Sequence, residues 1–301
     1  MRRPAPSPAV AAVLGGALWI IGSMFCFTVM WLAVRFASRE LDALQILFFR
    51  FFFGFLFLVP ILLRSGGVNL GTRRLGLHFL NGLFQVMATA CTFVGLSLIQ
   101  IAEVTALTFT APLFVTAGAA LFLGETVRRR RWTATAVGFL GALIILRPGV
   151  QAISPPALVV LAGSAFIAGG ILSTKSLSRT EAPDTIALYL TVLMTVMSLP
   201  VALTVWAAPS MAILGWLALT GLSGSLGLMA MARAYRAADA SLVMPFRYVS
   251  LLFAAAFGYL LFDERPDLWT WVGAAVIISA ALYTARREVR LTRQARQRQA
   301  R

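Results

Sequence analysis

Arg247 is the only charge between Ser241 and Leu261, in the stretch "SLVMPFRYVSLLFAAAFGYLL". Pro245 stands two residues before it, and Tyr248 and Ser250 follow within one helical turn. A guanidinium is a planar donor fork that suits carboxylate or phosphate, and two neighbouring hydroxyls can orient a bound solute. Pro245 withholds its N–H from a helix and leaves a carbonyl unpaired near Ser241. If the stretch lies in lipid, the charge costs about 2.5–3.5 kcal/mol near the bilayer centre. Two readings stay open for a group about 9 Å below the start of its helix. Arg247 snorkels to the interface, or it faces an internal cavity and holds the anionic part of a cargo.

Other apolar stretches also carry polar groups. Asn81, Gln85, Thr89 and Thr92 recur at steps of four, four and three, which sets them on one helical face. Such a stripe is wasted on lipid, so it faces protein or a water-filled path. Interhelical hydrogen bonding and cavity lining both fit, with Gln85 nearest mid-depth. "EVTALTFTAP" brings Thr105, Thr108, Thr110 and Pro112. Pro112 frees the Thr108 carbonyl for a hydroxyl, water or substrate, and a kink there suits a gate as well as plain packing. Glu103 opens this helix on the side where Arg50 enters another, which makes it a partner for Arg50 or a proton site. His78, near a helix end, reads as a wet interfacial histidine.

The elements that position these groups follow from composition. Of 301 residues 59% are apolar and 12% charged, with mean hydropathy +0.85. That is more apolar surface than one water-soluble domain can bury, and it comes in long runs. The charge-free run Pro4 to Val34 exceeds a signal peptide's apolar core and reads as a retained first helix. Later spans fall near 44–63, 75–98, 101–123, 132–146, 156–176, 185–206, 211–235, 241–262 and 269–285, ten in all. The least distinct division is Ser97 to Glu103.

Charge asymmetry sets the expected orientation. With a cytoplasmic N-terminus, Arg2, Arg3, Arg64, Arg73, Arg74, Arg128 to Arg131, Lys175, Arg179, Arg233, Arg236 and the arginines from Arg286 onward lie inside. Only Arg35, Arg39, Arg147 and Arg265 lie outside. The net charge of +15 is therefore topological. The tail 286–301 lacks the interleaved aromatics of a base-stacking segment, so it reads as an anchor on anionic headgroups and not as a nucleic-acid site. Cys26 and Cys91 fall inside spans and form no framework.

A shift of 139 residues lays 112–143 over 251–282 without a gap, pairing Glu125 with Glu264 and Trp132 with Trp271. The chain is read as a duplicated half with five spans per copy, and an odd number inverts the second copy. The basic loop "GETVRRRRW" and its net acidic counterpart "DERPDLW" agree with inversion. The expected fold is an all-α integral membrane bundle of ten transmembrane helices in two inverted five-helix repeats. Residues 1–150 and 151–285 form the repeats, and 286–301 form a basic cytoplasmic tail. The same shift lays Thr108 on Arg247, so the helices holding them are expected to line the central pathway.

"TAPLFVTAGAALFLGE", "RRWTATAVGFLGALIILRPG", "FFRFFFG" and "MPFRYVSLLFAAAFGYLLFDERPDLWTWVGAAVIISAALY" resemble the EamA-type carriers of the drug/metabolite transporter superfamily, and the likeness spans residues 10 to 288. The resemblance implies a secondary transporter, taken here as an exporter, of amino acids or other small metabolites across the bacterial inner membrane. It also implies a structural role for Arg50. A channel is the main alternative. A membrane enzyme lacks support, since the chain holds one histidine, no HExxH and no paired intramembrane aspartates. No nucleotide-binding or metal-binding motif occurs, so no cofactor is expected. One chain carries both halves, so oligomerisation is not required.

Overall fold

The computed structural model describes residues 8–64, 71–122, 129–146, 154–237, 244–280 and 282–283. Thr126 and most of the basic 124–131 loop, Ser241 and the basic tail lie outside the described residues, together with the expectations placed on them. Among the described residues all regular structure is helical. The chain runs through α1 (Pro8–Ala37), α2 (Ala43–Arg64), α3 (Leu75–Leu98), α4 (Ile101–Thr108), α5 (Ala111–Phe122), α6 (Arg129–Leu146), α7 (Pro155–Leu177), α8 (Pro183–Leu203) and α9 (Met211–Ala237). A 3₁₀ turn, Met244–Tyr248, then leads into α10 (Val249–Phe262), and α11 (Leu268–Ala280) follows. Six stretches are long and apolar enough to cross a membrane. Four shorter apolar helices, Ala43–Leu58, Thr135–Leu146, Phe246–Phe262 and Leu268–Ala280, accompany them. Large apolar side chains such as Leu18, Leu121 and Leu260 stand exposed on the outside, where lipid replaces water. This is a multi-pass membrane protein. The least distinct division resolves as a two-residue joint, Ile99 and Gln100, between α3 and α4.

The main packing is pairwise: α1 lies along α9 and α3 along α7, while α2 bridges α8 and α9. In lipid no hydrophobic force draws helices together, so small residues that let backbones touch do the work. A β-carbon at Gly141 would stand 2.8 Å from the Gly273 carbonyl oxygen, so α6 and α11 meet backbone to backbone.

Side chains lock the helix ends where α1, α3, α4 and α10 converge. Arg35 donates to Glu264 at 3.0 Å and to the carbonyls of Leu96 and Ile99, which the last turn of α3 leaves unpaired. Glu264, 8% exposed, accepts the Ile101 N–H at 2.9 Å at the start of α4. Gln45 acts similarly at the start of α2. It donates to Ala207 O at 2.6 Å and accepts Ala207 N–H at 2.9 Å, which clips α2 to the α8–α9 connection.

Two outcomes test this packing, both read from thermal unfolding of the full chain in detergent. Glu264→Gln removes the charge that holds Arg35, and the expected loss is about 1–3 kcal/mol; an unchanged midpoint would show the latch to be idle. Gly141→Ala should destabilise, whereas Gly76→Ala, with nothing within 4 Å of an added β-carbon, should stabilise by up to about 1 kcal/mol through helix propensity. Equal effects at the two sites would remove the close crossing of α6 and α11.

Candidate functional site

Two apolar segments depart from regular α-helix, and they meet. Between α4 and α5 the backbone tightens, with Phe109 N–H reaching Ala106 O at 3.2 Å and Thr110 N–H reaching Leu107 O at 3.0 Å. These are i→i−3 bonds, the mark of a 3₁₀ joint. The break therefore begins ahead of Pro112, which falls in the first turn of α5, where a missing N–H costs little. Leu107 O also accepts the hydroxyls of Thr110 at 2.7 Å and of Ser164, on α7, at 3.1 Å. The Thr108 hydroxyl donates to Thr105 O. The break directly precedes Pro112, which has no N–H to offer the Thr108 carbonyl, and local threonines and a serine from α7 hold the joint.

The second irregular segment is the turn Met244–Tyr248. Pro245 lies within this 3₁₀ turn; the residues just before it, 238–243, lie outside the described residues. Tyr248 crosses to the α4–α5 joint and meets Phe109 edge to face, with centroids 5.0 Å apart at 83°, a favoured geometry for aromatic pairs. α4 and α10 pack against each other around it. Arg247 and Tyr248 are half-buried and Ser250 is buried. The Ser250 hydroxyl donates to Arg247 O at 2.9 Å, so its proton is used within the helix.

The polar stripe of α3 faces protein, as expected. Asn81 Oδ1 accepts from Thr174 of α7 at 3.3 Å, and Gln85 lies against Gly170, where an added β-carbon would stand 3.0 Å from its amide carbon. Thr89 and Thr92 donate to Gln85 O and Ala88 O of their own helix. The structure thus brings Asn81 and Gln85 to α7 and turns both threonine hydroxyls inward on α3.

His78 is not wet. It is 1% exposed, lies 4.7 Å from the Tyr189 ring, and both ring nitrogens, like Asn81 Nδ2, are enclosed without a hydrogen-bond partner among the described residues. Nor does Arg50 turn to Glu103, which is half-buried in the first turn of α4. Arg50 Nη2 would stand 2.8 Å from a β-carbon at Gly224 of α9, beside Met30 Sδ at 2.9 Å. An apolar groove of about 480 Å³ between α2 and α9, walled by Phe53, Phe57 and Leu219, offers nothing to hold a charge.

Phe109, Ser164, Gln45 and the Arg35–Glu264 latch escaped the sequence reading. The 139-residue shift held the signal for the first, because it lays Phe109 on Tyr248. The other three act across helices distant in sequence.

Known proteins share this architecture. One solved chain superposes with a TM-score of 0.58 at 16% identity, covering 90% of this chain and 98% of the other, a likeness of fold alone. A riboflavin transporter of Rhizobium johnstonii is 35% identical, over 96% of this chain and 95% of its own length. An S-adenosylmethionine uptake transporter of Rickettsia bellii is 32% identical, over 88% and 91%. A pseudopaline exporter of Pseudomonas aeruginosa is 30% identical, over 90% and 96%. The EamA-like transporter family matches twice, at 14–147 and again at 154–286. The chain is a transporter protein that belongs to the EamA-like transporter family.

Proposed function

We propose that the chain is a secondary carrier that moves small organic metabolites, amino acids or other organic anions, across the inner membrane by alternating access between two inverted halves, 1–150 and 151–285. The observation that carries this reading is the Phe109–Tyr248 contact between the two irregular helices. The two residues are counterparts under the 139-residue shift, and contact between counterparts is what a pseudo-two-fold axis requires of residues beside it. The packing supports the same symmetry. Exchanging the halves turns α1 on α9 into α7 on α3, and these are the two principal pairings. Irregular helices at a repeat interface are where inverted-repeat carriers place their sites.

In this reading Arg247 and Tyr248 line the pathway from one half and Thr108 from the other, with Asn81, Gln85 and Thr89 along α3 and Ser250 supporting Arg247. Pro112 and Pro245 mark the joints that bend, and Glu103 is a coupling carboxylate. Both termini are cytoplasmic, which puts the Arg35–Glu264 latch on the outer face. The direction proposed is export. The relatives' names include both uptake and export, so direction is a property to be measured on this chain. The basic tail rests on anionic headgroups.

Reconstituted full chain should give saturable flux and trans-stimulation with a panel of radiolabelled amino acids and organic acids. Flux linear in concentration without counterflow would instead make it a channel. Arg247→Ala should insert normally and lose most transport, at least about tenfold, and Arg247→Lys should keep the charge but lose the bidentate fork. Wild-type transport by Arg247→Ala at equal abundance would reduce Arg247 to an anchor.

A further inference from the structure

Arg50 enters the membrane seven residues after α2 begins, about 10 Å along the helix, close enough to the helix start for a long side chain to snorkel back. It runs the other way. Helical side chains lean toward the N-terminus, yet Nη1 of Arg50 would stand 3.3 Å from a β-carbon at Gly54, one turn toward the C-terminus. Gly54 lies at the middle of α2 and Gly224 at the middle of α9, so the guanidinium sits at mid-depth on both helices. That is where an isolated charge is most costly.

Nothing described compensates it. Among the described residues no carboxylate pairs with Arg50, and no hydrogen bond from its guanidinium is recorded. Its guanidinium faces the ring of Phe51, 5.2 Å away, which is a weak substitute for an anion. The surroundings are made to admit the group. A β-carbon at Gly224 would collide with it, and Ser225 Oγ lies beside Gly54. Arg50 as a whole residue is half-buried. Apolar and aromatic side chains complete the surroundings, with Met30 at Gly224, Phe53 at Gly221 and Phe27 at Gly227.

We infer that Arg50 is a binding group for the carboxylate of an organic anion whose apolar, preferably aromatic, body rests on the partly exposed Phe27 and Phe53. A single guanidinium with no second cation recorded beside it matches the one negative charge of a carboxylate, bound through two parallel N–H donors. The dianionic head of a phosphate monoester would leave charge uncompensated at mid-depth. This deepens the carrier reading, on which it rests, by naming a second cation besides Arg247 and the kind of body the cargo carries.

The test uses the full chain purified in a non-ionic detergent, with benzoate and its neutral isostere benzamide as probes and the thermal midpoint as readout. Benzoate should raise the wild-type midpoint saturably and benzamide should not. Arg50→Gln should weaken the benzoate effect at least tenfold, and Arg50→Lys should recover part of it. Gly224→Ala keeps every charge and displaces the guanidinium, and it should also weaken benzoate. Two results overturn the assignment: equal response of the wild type to benzoate and benzamide, or unaltered benzoate affinity in Gly224→Ala and Arg50→Gln. Should Arg50→Gln fail to fold, the wild-type selectivity and Gly224→Ala decide alone. Benzoate selectivity lost on Arg50→Gln, in a protein without saturable flux, would leave the site standing and remove the carrier reading.

Discussion

A backbone N–H or C=O facing lipid has no water to turn to, and each one left unpaired costs several kcal/mol. An apolar helix can therefore be broken only where protein supplies the missing partners. At the α4–α5 joint Leu107 O collects the Thr110 N–H, the Thr110 hydroxyl and the Ser164 hydroxyl from α7. This local sufficiency lets a 3₁₀ joint persist inside a membrane span, and it ties the joint to α7. The same constraint explains the latch, where Arg35 and Glu264 take up the orphan groups at the end of α3 and the start of α4.

Close helix contact follows from a second limit of the lipid environment, the absence of hydrophobic attraction between helices. Glycines hold α6 to α11 by backbone contact and open room on α9 for the Arg50 guanidinium. Tight packing and charge accommodation are thus achieved by one residue type. Where the space is filled by another backbone the contact is structural. Where it is filled by a cation with no carboxylate partner among the described residues, a binding site is proposed.

The helical membrane class was legible because long charge-free runs admit few other structures, and six of the expected spans are helices long and apolar enough to cross a membrane. The stripe on α3 was readable as protein-facing from its spacing alone. Partners distant in sequence were not readable. Arg50 and Glu103 looked like a pair because both enter from one side, but rotation about the helix axis sends Arg50 to α9 and Met30. His78 looked wet because it lies near a helix end, yet α3 and α8 enclose it against Tyr189. Pro112 and Pro245 signalled irregular helix correctly, but the hydrogen bonds that set the first joint come from threonines and a remote serine. For the second, Pro245 falls within the 3₁₀ turn that leads into α10.

The central claim is that the two halves enter the membrane in opposite senses, so that the pathway lies between counterpart helices. Single cysteines at Thr126 and Asp267, in a background without Cys26 and Cys91, probe it with a membrane-impermeant maleimide applied to intact cells. Asp267 is expected to label from outside, and Thr126 only after the membrane is opened. Labelling of both from the same side would contradict inversion.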